Sequence, residues 1–136
     1  MLCYFFVNHL LLKYQELKLK LNLLFLKKII EMNLSQSDWK KQLNEDNNAV
    51  ILDVRTQQEW EEGIIPNAIL NDIYKGQGFI YKLEELDKSK NYYVYCKAGA
   101  RSSQACNIMK QMGFENTYNL DGGFMNWKGE VSIPEN

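Results

Sequence analysis

The sequence predicts an α/β domain: an open parallel sheet flanked by helices on both faces. Three observations carry this. Short runs rich in β-branched and aromatic residues alternate with stretches of helical periodicity along residues 32–136. Two of those runs, 49–54 (AVILDV) and 92–96 (YYVYC), are almost continuously apolar, as strands covered on both faces are. Strands that take turns with helices form parallel sheets with helices packed above and below.

Taken in order, the elements begin with "SQSDWKKQL". Ser35 stands three residues before Asp38 as a capping box, and Trp39 and Leu43 share a helix face. The first strand, 49–54, follows. "TQQEWEEG" gives a second capping box from Thr56 to Glu59, with Gly63 ending a short helix. A short strand at 68–70 (AIL) precedes "GQGF" (76–79), which reads as a turn, and "YKLEELDKS", which reads as a helix. The strand 92–96 leads into "SSQACNIMKQMGF", the longest helical pattern. There Ala105, Ile108, Met109 and Met112 lie on one face, and Gly113 closes the helix. A last strand is expected at 116–120 (NTYNL), followed by a turn and an aromatic anchor in "DGGFMNW". Trp60 and Trp127 read as core anchors and Cys106 as packing.

Residues 1–31 differ in kind. They are dominated by Leu, Lys, Phe, Ile and Asn, and hold five Lys against two Glu, a net charge of +3. The apolar start lacks the basic region and small-residue cleavage site of a secretory signal. Lysines from Lys13 onward interrupt it before the roughly 18–20 apolar residues that a membrane span needs. The segment is expected to be an N-terminal extension upstream of a physiological start at Met32, non-native or flexible. An amphipathic helix resting on a membrane or a partner is the other reading. Residues 32–136 then make one domain, the size a single core supports.

That domain carries 11 Lys/Arg and 15 Asp/Glu, a net of −4. Without a basic stripe it is a poor match for nucleic acid, whose binding rests on phosphate neutralisation. The cysteines Cys3, Cys96 and Cys106 are odd in number and form no C-x-x-C pair. A disulfide framework or a zinc site is therefore disfavoured, and a reducing, cytoplasmic setting is expected. The only histidine, His9, lies outside the domain, so a nucleophile there must be activated without imidazole.

Cys96 is the candidate. It ends a strand, opens the small-residue loop "KAGA" and is followed by Arg101 at the head of a long helix. Ligands of open α/β sheets gather at the carboxyl ends of the strands, where Asp53 should lie on the same edge. Backbone N–H groups between Lys97 and Arg101, together with the positive end of the helix, can favour a thiolate. Cysteine pKa values near 8.5 fall to roughly 3.5–7.5 in such settings. The small side chains of Ala98, Gly99 and Ala100 keep the backbone accessible, and Gly99 is placed for a positive φ.

Four segments in order now resemble the rhodanese, or sulfurtransferase, family in its single-domain form. "LDVRTQQEW" (52–60) is similar to D-V-R-x-x-x-E-(Y/F/W), and "GIIPNA" (63–68) to G-H-I-P-G-A. "YVYCKAGARSSQA" (93–105) contains C-x-x-G-x-R-S, and "LDGGFMNW" (120–127) the closing G-G-x-x-x-W. The resemblance covers about residues 34–130. It implies a rhodanese-like sheet and a transfer in which Cys96 takes the sulfane sulfur of thiosulfate or a similar donor as a persulfide. A thiol, a protein sulfur acceptor or cyanide then removes it. No metal or organic cofactor is required. By the same resemblance the amides of Lys97, Ala98, Gly99, Ala100 and Arg101 cradle the persulfide, Lys97 and Arg101 attract an anionic donor, and Ser102 supports the loop. Two positions depart from the family pattern. Ile64 replaces the histidine and Asn67 the second glycine of G-H-I-P-G-A, and neither departure touches the reaction class.

Asp53 is expected to organise the strand end and Arg55 rather than to act as acid or base. Arg55 and Glu59 are expected to pair at i, i+4. Two other functions compete. A phosphatase or arsenate reductase of related fold carries C-x5-R, one residue longer than the spacing here, and Tyr95 stands where those enzymes place a histidine. A non-catalytic rhodanese-like interaction or regulatory module commonly lacks the cysteine that this chain keeps.

Overall fold

The computed structural model describes residues 1–135, which divide into two compact units, one over residues 1–31 and one from residue 32 onward. The first unit belongs to one long helix, α1 (Leu2–Met32). Its apolar side chains are spread around the axis instead of being gathered on one face, so the amphipathic pattern read from the sequence is weak. Exposed ion pairs join Lys20 to Glu16 (3.4 Å) and Lys27 to Glu31 (3.9 Å). Among the described residues no helix is long and apolar enough to cross a membrane.

The second unit is a five-stranded, wholly parallel sheet in the order β1-β5-β4-β2-β3. The strands are β1 (Asn33–Leu34), β2 (Ala49–Asp53), β3 (Ile69–Leu70), β4 (Asn91–Tyr95) and β5 (Asn116–Leu120). Between them run α2 (Gln36–Glu45), α3 (Gln57–Glu61), α4 (Gln77–Glu84) and α5 (Ala100–Gln111). Single 3-10 turns occupy Ile73–Lys75 and Phe124–Asn126.

Strand periodicity sorts the core into two faces. Leu52, Val54, Tyr92, Val94 and Cys96 point to one side, where they meet Phe79 and Leu83 of α4 and Ala105, Cys106 and Met109 of α5. Tyr93, Tyr95 and Leu120 point to the other side and pack with Trp39 of α2, Phe124 and Trp127. Trp39 sits edge-on to both Tyr93 (5.5 Å) and Trp127 (5.7 Å) and donates its indole N–H to Tyr118 O. Trp127 is thus an anchor as expected. Trp60 is only half-buried and belongs to neither cluster.

The caps follow the sequence closely. Thr56 and Glu59 form the full reciprocal box at the head of α3. Ser35 accepts from Asp38 N, while its hydroxyl bonds the Asp38 carboxylate (2.9 Å). Three local features go beyond or against the sequence reading. Strand β1 was not foreseen, because two residues carry no periodicity. Helix α4 starts at Gln77, so "GQGF" is its head and not an isolated turn, with Gly76 at the cap. Asn67 adopts φ 67°, a left-handed position where asparagine is the next most tolerant residue after glycine. That explains how Asn67 stands in for the family glycine. Ile64, in place of the family histidine, is buried and exchanges backbone hydrogen bonds with Ser132 (2.8 and 2.9 Å).

Candidate active site

The register of β2 against β4 sets Asp53 beside Tyr95, so Asp53 and Cys96 come out at the same carboxyl edge of the sheet. Cys96 is buried at the junction of β4 and the loop that opens α5. Its sulfur accepts hydrogen bonds from Gly99 N–H (3.1 Å) and from the Ser102 hydroxyl (3.2 Å). Burial pushes the thiol pKa up. The Ser102 hydroxyl and the amides of Ser102, Gly99 and Ala98 outweigh it, so the thiol lies below its ordinary value. Gly99, at φ 109°, caps the twelve-residue α5, and the positive end of that helix faces the same sulfur. Of the amides expected to cradle the sulfur from Lys97 to Arg101, Gly99 makes the 3.1 Å hydrogen bond and the Ala98 amide adds to the field that favours the anion. Lys97, Ala98 and Ala100 are exposed around the mouth of the loop.

The loop is clamped from the far end of the chain. Phe124 N–H donates to Cys96 O (2.8 Å) and Met125 N–H to Lys97 O (2.9 Å). This approach requires Gly123, at φ 60°, since a Cβ there would stand 2.5 Å from Lys97 O and 2.7 Å from Ala98 N. Sequence reasoning read the Gly122–Gly123 pair as a turn and as part of the G-G-x-x-x-W segment, and missed this contact.

Asp53 and Arg55 form a buried fork. Arg55 Nη2 reaches Asp53 Oδ2 at 2.8 Å, Arg55 Nε lies 3.0 and 3.1 Å from the two carboxylate oxygens, and the Arg55 N–H donates to Oδ1 (3.0 Å). The same Nη2 also donates to Gly63 O (2.7 Å), and the cation lies over the Phe124 ring at 4.2 Å. The pair ties the end of β2 to the segment that clamps the loop.

Arg55 does not pair with Glu59, as the sequence spacing suggested. Glu59 takes Arg101 in a two-pronged ion pair, both contacts 2.8 Å, while also capping Thr56. The i, i+4 rule fails here because Arg55 precedes the N-cap and has no helical geometry. The Arg101 hydrogen bonds, helped by Thr56, hold the Glu59 carboxyl down at about 2 despite partial burial. Arg101 is therefore a brace between α3 and α5, its guanidinium also over Tyr74 at 5.5 Å, and Lys97 is the loop cation left exposed to solvent.

The sign of the linkage is fixed by the lowered pKa. With a folded value near 2 against 4.5 unfolded, Glu59 contributes its full stabilisation above about pH 4.5 and loses it as pH falls toward 2. Glu59→Gln is expected to cost about 1–2 kcal/mol near neutrality, the worth of a two-pronged pair screened by partial exposure. Urea unfolding from pH 7 down to pH 2 checks it: the gap between wild type and variant should close through that window.

Cys106 is buried on α5, and burial pushes its thiol up to about 12, which leaves it inert. A cavity of about 570 Å³ lies on the other side of the sheet, with Lys40, Leu43, Ile51, Ile65 and Trp127 in its wall, and no residue of the Cys96 loop lines it. Among the described residues no group of three or more His, Cys, Asp or Glu side chains could hold a metal.

This fold and this loop are those of a known class. The model of the rhodanese-like domain matches residues 36–130, and the chain belongs to that family. A provisionally named sulfurtransferase of Bacillus subtilis, YtwF, is 36% identical over 106 residues, covering 76% of this chain and 95% of its own length. The tRNA uridine(34) hydroxylase of Chlamydia felis is 30% identical over 115 residues, and the match spans 74% of this chain but only 35% of the hydroxylase. Among solved structures, a rhodanese-like domain protein from Staphylococcus aureus superposes with a TM-score of 0.66 at 29% identity, covering 76% of this chain and 98% of that one. Family and relatives together support a sulfurtransferase-like role.

Proposed function

We propose that the chain moves a sulfane sulfur from thiosulfate or a similar donor to a thiol or cyanide acceptor, with Cys96 as the carrier. The observation that carries this reading is the buried Cys96 sulfur, held by Gly99 N–H and the Ser102 hydroxyl at the head of α5. Such a pocket favours a sulfur anion whether it is the thiolate or the outer atom of a persulfide. In the first half-reaction the Cys96 thiolate attacks the outer sulfur of thiosulfate. The S–S bond of the donor breaks, sulfite leaves with the electron pair, and Cys96–S–S⁻ remains. In the second, an acceptor thiolate attacks the terminal sulfur and takes it as R–S–S⁻, returning the Cys96 thiolate. Cyanide taken the same way leaves as thiocyanate. Lys97, exposed at the mouth, supplies the positive charge that meets an anionic donor, while Arg101 keeps Glu59.

A phosphatase reading is poorly served, because the guanidinium that would hold an oxyanion is already occupied by Glu59. The test is chemical. Incubation with thiosulfate should add the mass of one sulfur to the peptide containing Cys96, with sulfite released in equal amount. A folded protein that gains no sulfur would be a non-catalytic module. Release of phosphate from an aryl phosphate would move the assignment to the phosphatases. Cys106→Ala is expected to leave thiocyanate formation within about twofold of wild type, since a buried thiol of raised pKa is a poor participant.

A further inference from the structure

The carbonyl oxygen of Gly99 is surrounded by three donors: Ser103 N–H (3.1 Å), the Ser102 hydroxyl (3.1 Å) and Asn119 Nδ2 (3.2 Å). A carbonyl oxygen offers two lone pairs. Ser102 meanwhile has two acceptors in reach, Gly99 O and Cys96 Sγ, and one hydroxyl hydrogen to give. It cannot serve both.

Asn119 decides the competition. It lies buried on β5, next to the loop, and Nδ2 donates both to Gly99 O and to Asn33 Oδ1 (2.8 Å). Its own Oδ1 is buried with no hydrogen-bond partner among the described residues. An unsatisfied buried acceptor costs about 1–3 kcal/mol, so the side chain is held in this pose for what it donates. We propose that Asn119 is a positioning residue: with Ser103 N–H it fills the Gly99 carbonyl and so leaves the single hydroxyl proton of Ser102 to the Cys96 sulfur. Gly99 then serves the sulfur twice, directly through its N–H and indirectly by not drawing Ser102 away. The inference rests on the reading of Cys96 as the sulfur-accepting nucleophile. Arg101 and Cys106 are titratable groups that sense Cys96, Lys97 is the charged neighbour beside it in the chain, and the variants below leave all three in place.

The experiment is a double-mutant cycle read on the thiol itself. Cys96 ionisation is followed in the full chain by the pH dependence of iodoacetamide alkylation, in wild type, Asn119→Leu, Ser102→Ala and the double variant. Asn119→Leu should raise the Cys96 pKa by about half to one unit, the worth of one hydrogen bond lost from the anion. Added to Ser102→Ala it should raise it no further. Turnover should shift its acid limb by the same amount and keep its plateau at high pH. An unchanged pKa in the folded Asn119→Leu protein overturns the proposal, and so does an equal rise in the Ser102→Ala background. Asn119→Ala, smaller and less able to clash, is scored by the same criteria where the leucine variant does not fold. Failure of sulfur transfer would remove the functional reading but not the alkylation result, so the two can fail separately.

Discussion

Cys96→Ala is expected to lower thiocyanate formation from thiosulfate and cyanide by at least about a thousandfold, to the uncatalysed background, because both half-reactions pass through that sulfur. The protein should remain folded. The side chain is small, and the loop around it is held by backbone hydrogen bonds from Phe124 and Met125 that the substitution leaves intact. Steady-state turnover and a thermal melt check the two halves together. Retained turnover would mean that another group carries the sulfur. Loss of turnover along with the melt would make Cys96 a packing residue. Intact protein mass after thiosulfate treatment adds a third reading, since the alanine variant should show no gain.

Gly123→Ala has the second large effect, and it acts on stability as well as chemistry. A methyl group at that position would meet Lys97 O at 2.5 Å, Lys97 C at 2.6 Å and Ala98 N at 2.7 Å, all backbone atoms that cannot swing aside. The φ of 60° adds strain for any residue with a Cβ. The two amides that clamp Cys96 O and Lys97 O would be pushed away, and the sum is about 2–4 kcal/mol. The denaturation midpoint should fall accordingly. Thiol alkylation in the folded fraction should show a raised Cys96 pKa, because the loop that presents Gly99 N–H to the sulfur would no longer be fixed. A midpoint equal to wild type would show that the loop is not held from this side.

Much of this arrangement was legible in the residues. The runs around Leu52 and Val94 announced strands buried on both faces, and the sheet places their two faces against α4, α5 and α2 as such runs require. Cys96, Gly99 and Ser102 sit within seven positions of one another, so local sequence could show the loop, its cap and its nucleophile. What escaped was non-local. Glu59 belongs to Arg101, 42 positions away, and spacing rules know only neighbours on one helix. Asn119 and Gly123 act on the loop from the β5 end; Asn119 carries no local signal beyond a strand, and the G-G-x-x-x-W pattern around Gly123 does not say which backbone it approaches. Strand β1 is two residues long and exists because Asn33 and Leu34 find Asn119 and Leu120 across the chain.

That last ladder sets an order on biosynthesis. A growing polypeptide exposes Cys96 before Asn119, Phe124 and Met125 have been made, and β1 waits for β5 to close the edge of the sheet. The clamp on the Cys96 loop and the outer edge of the sheet are therefore completed only when the carboxyl-terminal portion arrives.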